Sequence, residues 1–349
     1  MRSSMSHALV RSVRAAAAAA ALLGAACQAT ADGPWCPVPV PAAASLRGLA
    51  VTADGAVWVG GAGALWTSRD GGATWRDVRP QDCRDGDFRD LAAWDCRRAL
   101  AMVAGQPARV YLTEDGGASW RIVLTDPRPA AFFDAVAFAG AVGVLFGDPV
   151  DGRACVWRSG DGGATWQPLA PPQLPTPLPG EAGFAASGAC ATVVEGRPPH
   201  AWIVTGGAAA RMWNLPWDGG AARAVPLPVV QGQPSQGAFA VAVRGRRAVV
   251  VGGDYRRPEL GAGSAAWSDD GGATWHAASA GGYRSAVVWL DDERLLAVGS
   301  HGASESSDGG RTWRPFAGVG LHALAMAADG AVWACGDAGR VERLPRAAR

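Results

Sequence analysis

Short apolar runs alternate with glycine-rich polar turns along most of this chain. In the first clear unit, an apolar run around residues 46–51 is followed by the turn "ADG", the runs "AVWVGG" and "ALWTS" and, after a polar octet, "WRDV". Each run has the length of a strand and is too short for a buried helix. The pattern therefore predicts a unit of four short strands.

The octet "SRDGGATW" at residues 68–75 returns four more times. The copies are "TEDGGASW" at 113–120, "SGDGGATW" at 159–166, "SDDGGATW" at 268–275 and "SSDGGRTW" at 306–313, with a degenerate copy, "PWDGGAAR", at 216–223. Successive aspartates of the octet are 38 to 57 residues apart. Four short strands repeated at such a spacing are typical of the blades of a β-propeller.

The repeat predicts an all-β fold, a single seven-bladed β-propeller of four-stranded antiparallel blades over residues 32–349. The first six units span 46–79, 88–125, 132–170, 183–229, 237–280 and 284–318. The last unit, 321–345, has three strands and no octet, so "CPVPVP" at 36–41 is expected to supply its outer strand. Such closure would remove exposed sheet edges. Six blades with a capping strand is the alternative.

The octet itself is expected to be structural. Its aspartate can accept hydrogen bonds from the N–H groups that follow, its glycines permit positive φ, and its tryptophan can pack between blades. The residues given this role are Asp70, Asp115, Asp161, Asp270, Asp308, Trp75, Trp120, Trp166, Trp275 and Trp313. Five copies around a ring would be a poor way to build one site, so function is sought elsewhere.

The first thirty residues have the layout of a secretory signal, because a basic leader precedes the apolar run at 15–26. One reading is a signal peptide at 1–31. The other is a lipoprotein signal at 1–26, with lipid on Cys27 as the one membrane attachment. Both predict a periplasmic or secreted protein, or an outer-membrane lipoprotein. In an oxidising compartment, Cys83 and Cys96 flank one predicted strand and are the pair singled out for a disulfide.

Composition excludes several classes of function. All 32 basic residues are arginine, which removes lysine chemistry, and a net charge of +1 gives no electrostatic footprint for nucleic acid. The sequence has no CxxC, no strand–GxGxxG–helix unit and no CxxCH, and its histidines are scattered. The prediction is therefore no cofactor and no metal.

The pattern [ST]-x-D-G-G-x-[ST]-W resembles the Asp-box, or BNR, repeat of sialidases, sortilin-type receptors and xyloglucan hydrolases. The stretches between the octets are similar to those of photosystem II stability/assembly factor-like propellers, a family with many bacterial members. Those stretches are "DFRD" (87–90), "FFDAVAF" (132–138), "GDPVDG" (147–152), "EAGFAASG" (181–188), "TGGAAAR" (205–211), "GGDY" (252–255) and "GGYRSA" (281–286). The resemblance implies a binding or assembly role, and for photosynthetic members a role in photosystem II assembly.

Candidate site residues follow from the blade register. The octet joins the third and fourth strands, so loops after the second strands and between blades open on the opposite face. The partner-binding residues predicted there are Arg47, Arg89, Asp148, Asp151, Arg211, Asp254, Tyr255, Arg256, Tyr283, Arg284 and His301. Arg211, Arg256 and Arg284 would suit acidic side chains or a C-terminal carboxylate. A ring of mutually satisfied Asp–Arg pairs is the structural alternative.

The predicted function is an exported, monomeric, non-catalytic binding or assembly factor for a protein or peptide, such as a membrane-protein assembly intermediate. The alternative is a glycoside hydrolase acting on an extracellular or envelope glycan, with Asp148, Asp254 and Tyr255 as candidate catalytic residues. A sialidase-like site would need Arg47, Arg211 and Arg284 to converge. A paired-carboxylate site would need Asp148 to face Asp254, or Asp151 to face Glu181. The string "YRRP" at 255–258 lacks the isoleucine of the sialidase signature, which favours binding.

Overall fold

Seven β-sheets follow one another along the chain in the computed structural model, which describes residues 34–316, 318 and 320–346. The innermost strand of each sheet contacts the innermost strand of the next, and the last contacts the first, so the sheets are the blades of a closed ring. The predicted seven-bladed, all-β propeller is confirmed. None of the described residues forms a helix long and apolar enough to cross a membrane.

The first three complete blades have the predicted four strands. After β1 (Cys36–Pro37), they comprise β2 (Leu46–Val51), β3 (Val57–Gly61), β4 (Ala64–Ser68) and β5 (Arg76–Asp77); β6 (Phe88–Ala93), β7 (Ala99–Val103), β8 (Ala108–Thr113) and β9 (Arg121–Asp126); and β10 (Phe133–Ala139), β11 (Val142–Val150), β12 (Arg153–Ser159) and β13 (Gln167–Pro168). Second strands such as β3 and β7 are buried throughout, because neighbouring blades cover both faces of each sheet.

The remaining strands form blades 4 to 7. They are β14 (Glu181–Ala182), β15 (Ala191–Val194), β16 (His200–Val204), β17 (Gly206–Gly207), β18 (Arg211–Pro216), β19 (Arg223–Pro226), β20 (Gln236–Arg244), β21 (Arg247–Asp254), β22 (Ala265–Ser268), β23 (His276–Ala278), β24 (Ala286–Trp289), β25 (Leu295–Gly299), β26 (Gly302–Ser306), β27 (Arg314–Pro315), β28 (Ala323–Met326), β29 (Val332–Cys335) and β30 (Val341–Leu344). Two single 3-10 turns lie at Pro171–Gln173 and Asp337–Gly339.

The ring closes through the N-terminal strand. β1 pairs with β30, with Cys36 opposite Arg343, and completes the four-stranded sheet β1-β30-β29-β28. Trp35, just before β1, is 3% exposed and packs edge-on against Phe316 of the neighbouring blade. The expected closure is therefore confirmed, and the six-blade alternative is wrong.

The octets join the third and fourth strands of blades 1, 2, 3, 5 and 6, as predicted. In the copy around Asp161, the hydroxyl of Ser159 donates to Oδ1 at 2.8 Å, and the N–H and hydroxyl of Thr165 donate to the two carboxylate oxygens at 3.0 and 2.7 Å. These bonds, led by the Thr165 hydroxyl, lower the pKa of Asp161 to about 2. Each turn thus holds its own ionised aspartate.

Two features depart from the sequence prediction. Cys83 and Cys96 are both free thiols, so the disulfide singled out for them is wrong. The sheet of blade 5 also gains two short inner strands, β14 and β17, in the order β14-β17-β20-β21-β22-β23. The two inner strands join the sheet through the pairing of Gly206 with Gly237. A Cβ on Gly206 would lie within 2.7 Å of the neighbouring backbone, so this pairing requires glycine.

Candidate functional site

A repeated irregularity places side chains on the propeller axis. In blades 1, 2, 3 and 5 the register between the first two strands shifts by one residue. The residues left without a cross-strand partner at this shift are Arg47, Arg89, Asp134 and Phe239. A bulge re-aims the side chain of the unpaired residue. All four of these residues line one cavity of about 450 Å³. His322, at the equivalent place in blade 7, lines it as well.

This axial cavity lies at the end of the ring away from the octets. It is lined by residues at the starts of first strands and at the ends of second strands, whereas the octets follow third strands. In an antiparallel four-stranded blade these positions are at opposite ends. The cavity is therefore on the face where the sequence analysis looked for a site.

The segment between blades 3 and 4 crosses the channel and forms part of the cavity wall. We call residues 183–188 the axial segment. Its Gly183 N–H donates to Asp148 Oδ1 at 2.9 Å, and its Ser187 hydroxyl donates to the carbonyl of Ser285 in blade 6 at 2.6 Å. The segment thus spans from blade 3 to blade 6, and most of its residues are buried.

Two arginines hold the middle of the axial segment. Arg47 Nη1 donates to the carbonyl of Ala186, and Arg89 Nη1 donates to the carbonyl of Ala185, both at 3.3 Å. These bonds are long, and only Arg89 has an ion-pair partner among the described residues, Asp87 at 2.6 Å. Both guanidinium groups keep donors available to a ligand in the cavity.

Aromatic rings form another wall. Phe184 of the axial segment stacks on Phe239 with centroids 3.8 Å apart, and Tyr283 meets Phe239 edge-on at 4.8 Å. Tyr255 contacts both phenylalanines edge-on and is 44% exposed. Phe132 lies under the guanidinium of Arg89, 5.8 Å from it. Large rigid rings beside arginines are typical of sites that bind peptides.

Two carboxyl groups share the cavity with these arginines. Asp134 is 1% exposed, and its Oδ2 has no hydrogen-bond partner among the described residues. Burial, and then the charge of Asp148, raises the pKa of Asp134 well above its usual range, while Arg89 acts in the opposite sense. Burial also raises the pKa of Asp148. An unpartnered buried oxygen is costly, so this corner of the cavity favours a donor.

His322 and Asp337 complete the polar lining near Arg47. The ring Nε2 of His322 lies 3.0 Å from Asp337 Oδ1, which also accepts from the hydroxyl of Ser45 at 2.6 Å. Burial, and then the charge of Arg47, lowers the pKa of His322. The imidazole is therefore neutral near pH 7 and adds no charge to the cavity.

Of the predicted partner-binding residues, the structure brings together Arg47, Arg89, Asp148, Tyr255 and Tyr283. Asp148 and Asp254 were predicted to lie in loops, but β11 and β21 extend through them. Asp151 lies beyond, exposed in the turn between β11 and β12 at a φ of 53°. Arg256 and His301 are exposed and do not line the cavity.

Arg211 is committed to Glu181 rather than to the cavity. Its Nε lies 3.0 and 3.1 Å from the two carboxylate oxygens of Glu181, its Nη2 contacts the same group, and the side chain of Glu181 is fully buried. Thr205 and Trp213 donate to the same carboxylate at 2.6 and 3.0 Å. The predicted use of Arg211 for a partner's carboxylate therefore conflicts with its position, because its own carboxylate already occupies it.

Arg284 and Asp254 are likewise occupied. Arg284 is 5% exposed and donates to the Ser304 hydroxyl and to the carbonyl of Tyr283, and burial lowers its pKa to about 10. Asp254 is 4% exposed; hydrogen bonds led by Ser235 and Gln236 outweigh its burial and lower its pKa to about 2. The three arginines of a sialidase-like site do not converge, and neither predicted carboxylate pair lines one cavity.

Sequence reasoning missed Phe132, Asp134, Phe184 and Phe239. All four lie in or beside apolar runs, where an aromatic side chain is most simply interpreted as core and a lone aspartate as the polar start of a strand. The stretches "FFDAVAF" and "EAGFAASG" resemble those of a propeller family, and this resemblance is the one signal in the sequence that points to them. Among the described residues no three His, Cys, Asp or Glu side chains are grouped to hold a metal.

A larger groove, of about 830 Å³, lies outside the ring between blades 2 and 3 and the proline-rich connection 171–177. Of its charged residues, Asp126 and Arg128 pair with each other, Nε to Oδ1 at 2.9 Å, and Arg153 is exposed. The axial cavity, with unpaired donors and acceptors, is the better candidate site.

Comparison with known proteins agrees with this fold. Residues 27–167 match the family "Photosynthesis system II assembly factor YCF48", and residues 266–277 match the BNR/Asp-box repeat. No curated protein sequence matches the chain.

Three solved structures illustrate the likeness. YCF48 bound to D1 peptide is 17% identical with a TM-score of 0.63, covering 91% of this chain and 97% of its own. YCF48 from Cyanidioschyzon merolae is 17% identical with a TM-score of 0.57, covering 89% and 98%. Inactive virginiamycin B lyase from Staphylococcus aureus with quinupristin is 10% identical with a TM-score of 0.62, covering 90% and 99%. At such identities the likeness shows the fold alone. The family match over residues 27–167, the Asp-box turns and the seven closed blades together support a photosystem II assembly factor-like propeller.

Proposed function

We propose that this protein is a non-catalytic binding or assembly factor that recognises a peptide segment of a partner protein in the axial cavity. The observation that carries the proposal is the bulge at one position of successive blades, which aims Arg47 and Arg89 at the axis beside an aromatic wall. Arginines with spare donors and rigid rings are the side chains that dominate peptide and protein recognition. YCF48 has been solved with a D1 peptide, which supports a peptide as the ligand class.

The axial segment supports the choice of an extended peptide. Arg47 and Arg89 already donate to two consecutive main-chain carbonyls, those of Ala186 and Ala185. The cavity wall is thus built to bind peptide carbonyl groups, and a second strand laid beside the axial segment would present the same groups. A glycosidase is not favoured, since its candidate Asp254 lies outside the cavity and is already hydrogen-bonded.

We also propose that the protein acts outside the cytoplasm, as a periplasmic or secreted protein. The basic leader and apolar run of residues 1–31 support this, and they lie outside the described residues. A lipid on Cys27, if present, would attach it to the outer membrane. Mass spectrometry of the exported fraction would distinguish the two endings, with an N-terminus at Asp32 expected for signal-peptide cleavage.

Site-specific photo-cross-linking tests the proposed site. The chain has no lysine, so amine-reactive reagents cannot report on the cavity, and a photoreactive phenylalanine analogue is needed instead. Placed at Phe132, in the cavity, it is expected to give one dominant adduct in the exported fraction. Placed at Trp75, at an octet turn on the other face, it is expected to give none. Equal adducts at both positions, or an adduct at Trp75 alone, would show that the cavity is not the site.

A further inference from the structure

Asp134 and Asp148 form an acidic corner of the axial cavity, and among the described residues neither has an ion-pair partner. Asp148 uses Oδ1 to accept from Gly183, and no hydrogen bond to its other oxygen is found among the described residues. Asp134 Oδ2 is buried and unpartnered. Arg89, whose charge acts to lower the pKa of Asp134, donates instead to Asp87 and to the carbonyl of Ala185. The charge of Asp148 raises the pKa of Asp134, so the two carboxyl groups are stabilised together by a proton or by a donor that binds their unused oxygens.

The bulge position gives independent evidence that the corner is a place for a ligand. The residues passed over in blades 1, 2 and 5 are Arg47, Arg89 and Phe239, and each lines the cavity. Asp134 is the residue passed over in blade 3. A carboxyl group placed there by a bulge, rather than left in a solvated turn, is held against the cavity at the cost of its hydration.

Gly183 packs closely against the acidic corner. A Cβ at this position would lie 2.3 Å from Asp134 Oδ2, so any larger residue would displace the carboxyl group. The glycine lines the cavity together with both aspartates. A compact ammonium with three donors suits two neighbouring carboxyl groups with unused acceptor oxygens.

We propose that the acidic corner of Asp134 and Asp148 receives the ammonium group of a lysine side chain of the bound partner. The inference rests on the proposed function, because it assigns one residue of the peptide that the axial cavity would bind. In this arrangement Arg47 and Arg89 hold the main chain of the peptide, and the acidic corner selects the side chain. The protein contains no lysine of its own that could occupy the corner.

Proton linkage follows from the surroundings of Asp134. The groups that face it are Asp148 and Arg89, the thiol of Cys190, which burial and Asp134 keep neutral by raising its pKa, and the N–H of Ala185. Because the pKa of Asp134 is raised in the empty cavity, the carboxyl group must lose a proton to pair with an ammonium. Affinity for a lysine side chain should therefore rise as the pH increases through the raised pKa of Asp134.

The test uses two blocked amino acids of matched shape, N-acetyl-lysine methylamide and N-acetyl-norleucine methylamide. Titration by ligand-detected NMR at pH 7.5 is expected to show about tenfold tighter binding of the lysine probe, since a charge-assisted hydrogen bond is worth about that factor. The single variant Asp148→Asn and the double variant Asp134→Asn, Asp148→Asn are tested in the same way. Both should lose the preference for the lysine probe over the norleucine probe, together with its dependence on pH. Asp151→Asn, an exposed carboxylate three residues along, should keep both.

Equal binding of the two probes, or a lysine preference that survives both variants, would overturn the inference. Thermal unfolding of each variant checks the fold, and the partly exposed Asp148 keeps the test valid should Asp134→Asn not fold. If the two probes bind equally but the photoreactive group at Phe132 still gives a partner adduct, only the proposed lysine site at the acidic corner is contradicted. If the otherwise unmodified protein gives no adduct from position 132, the proposed function itself is contradicted.

Discussion

Replacing Trp35 by alanine is expected to lower the free energy of unfolding by about 3–5 kcal/mol, the usual cost of removing a buried tryptophan. Trp35 is 3% exposed and packs among apolar residues of blades 6 and 7, including Leu296, Leu321 and Val332. It also positions β1, which completes blade 7. The loss would therefore fall on the closure of the ring, and urea denaturation followed by tryptophan fluorescence and circular dichroism would measure it.

Two variants make this experiment specific. Trp35→Phe keeps most of the buried area and should cost much less than alanine. Ile122→Ala truncates a side chain that is 44% exposed on the outer strand of blade 2, and should change stability by no more than about 0.5 kcal/mol. Should Trp35→Ala behave like Ile122→Ala, the N-terminal strand does not hold the ring closed.

Glu181→Ala is expected to have an effect of similar size, for an electrostatic reason. Its carboxylate accepts from Arg211, Thr205, Trp213 and the N–H of Leu178, and its removal leaves a mostly buried guanidinium without a counter-charge. Breaking a buried ion pair in this way costs about 3–5 kcal/mol. The same residue begins the connection into the axial segment, so the cavity should lose order with it.

A double-mutant cycle checks the assignment of this pair. Arg211→Ala should also be strongly destabilising, but in the Glu181→Ala background it should add little, because the interaction is already gone. If both single variants unfold at the urea concentration of the unmodified protein and Arg211→Ala alone abolishes the Phe132 adduct, Arg211 binds the partner as the sequence analysis first predicted.

The sequence predicted the architecture well because the octet is a local signal. Asp161, its hydroxyl neighbours and its glycines fix a turn by contacts within five residues, so the blade register can be read directly. Closure by β1 was predictable from the count of strands. The unit 321–345 lacks a fourth strand, and "CPVPVP" at residues 36–41 was the run not yet assigned to a blade.

The site was only partly predictable because it depends on contacts between distant residues. Arg211 and Glu181 are 30 residues apart, and no pattern indicates that they pair. Asp134 and Phe239 read as members of apolar strands, and only the register shift turns them to the axis. The sequence analysis placed residues 183–188 at the start of the fourth blade, although their contacts with five other blades make them a wall of the cavity.

Asp90 illustrates how such contacts escape a sequence reading. It is buried and accepts from the N–H of Val136, in the next blade, at 2.7 Å and from the N–H of Leu91 at 2.8 Å. Burial nevertheless raises its pKa to about 7. Its position against Gly188 of the axial segment makes it part of the frame that supports the cavity.

The central claim is that Arg47 and Arg89 bind a partner peptide in the axial cavity. The most direct measurement is the yield of the Phe132 photo-adduct in the Arg47→Ala, Arg89→Ala double variant, with Arg223→Ala on the exposed outer strand of blade 4 as the matched control. We predict that the double variant melts within a few degrees of the unmodified protein and loses at least about tenfold in adduct yield, while the control loses none. A folded double variant that gives the full adduct would contradict the claim.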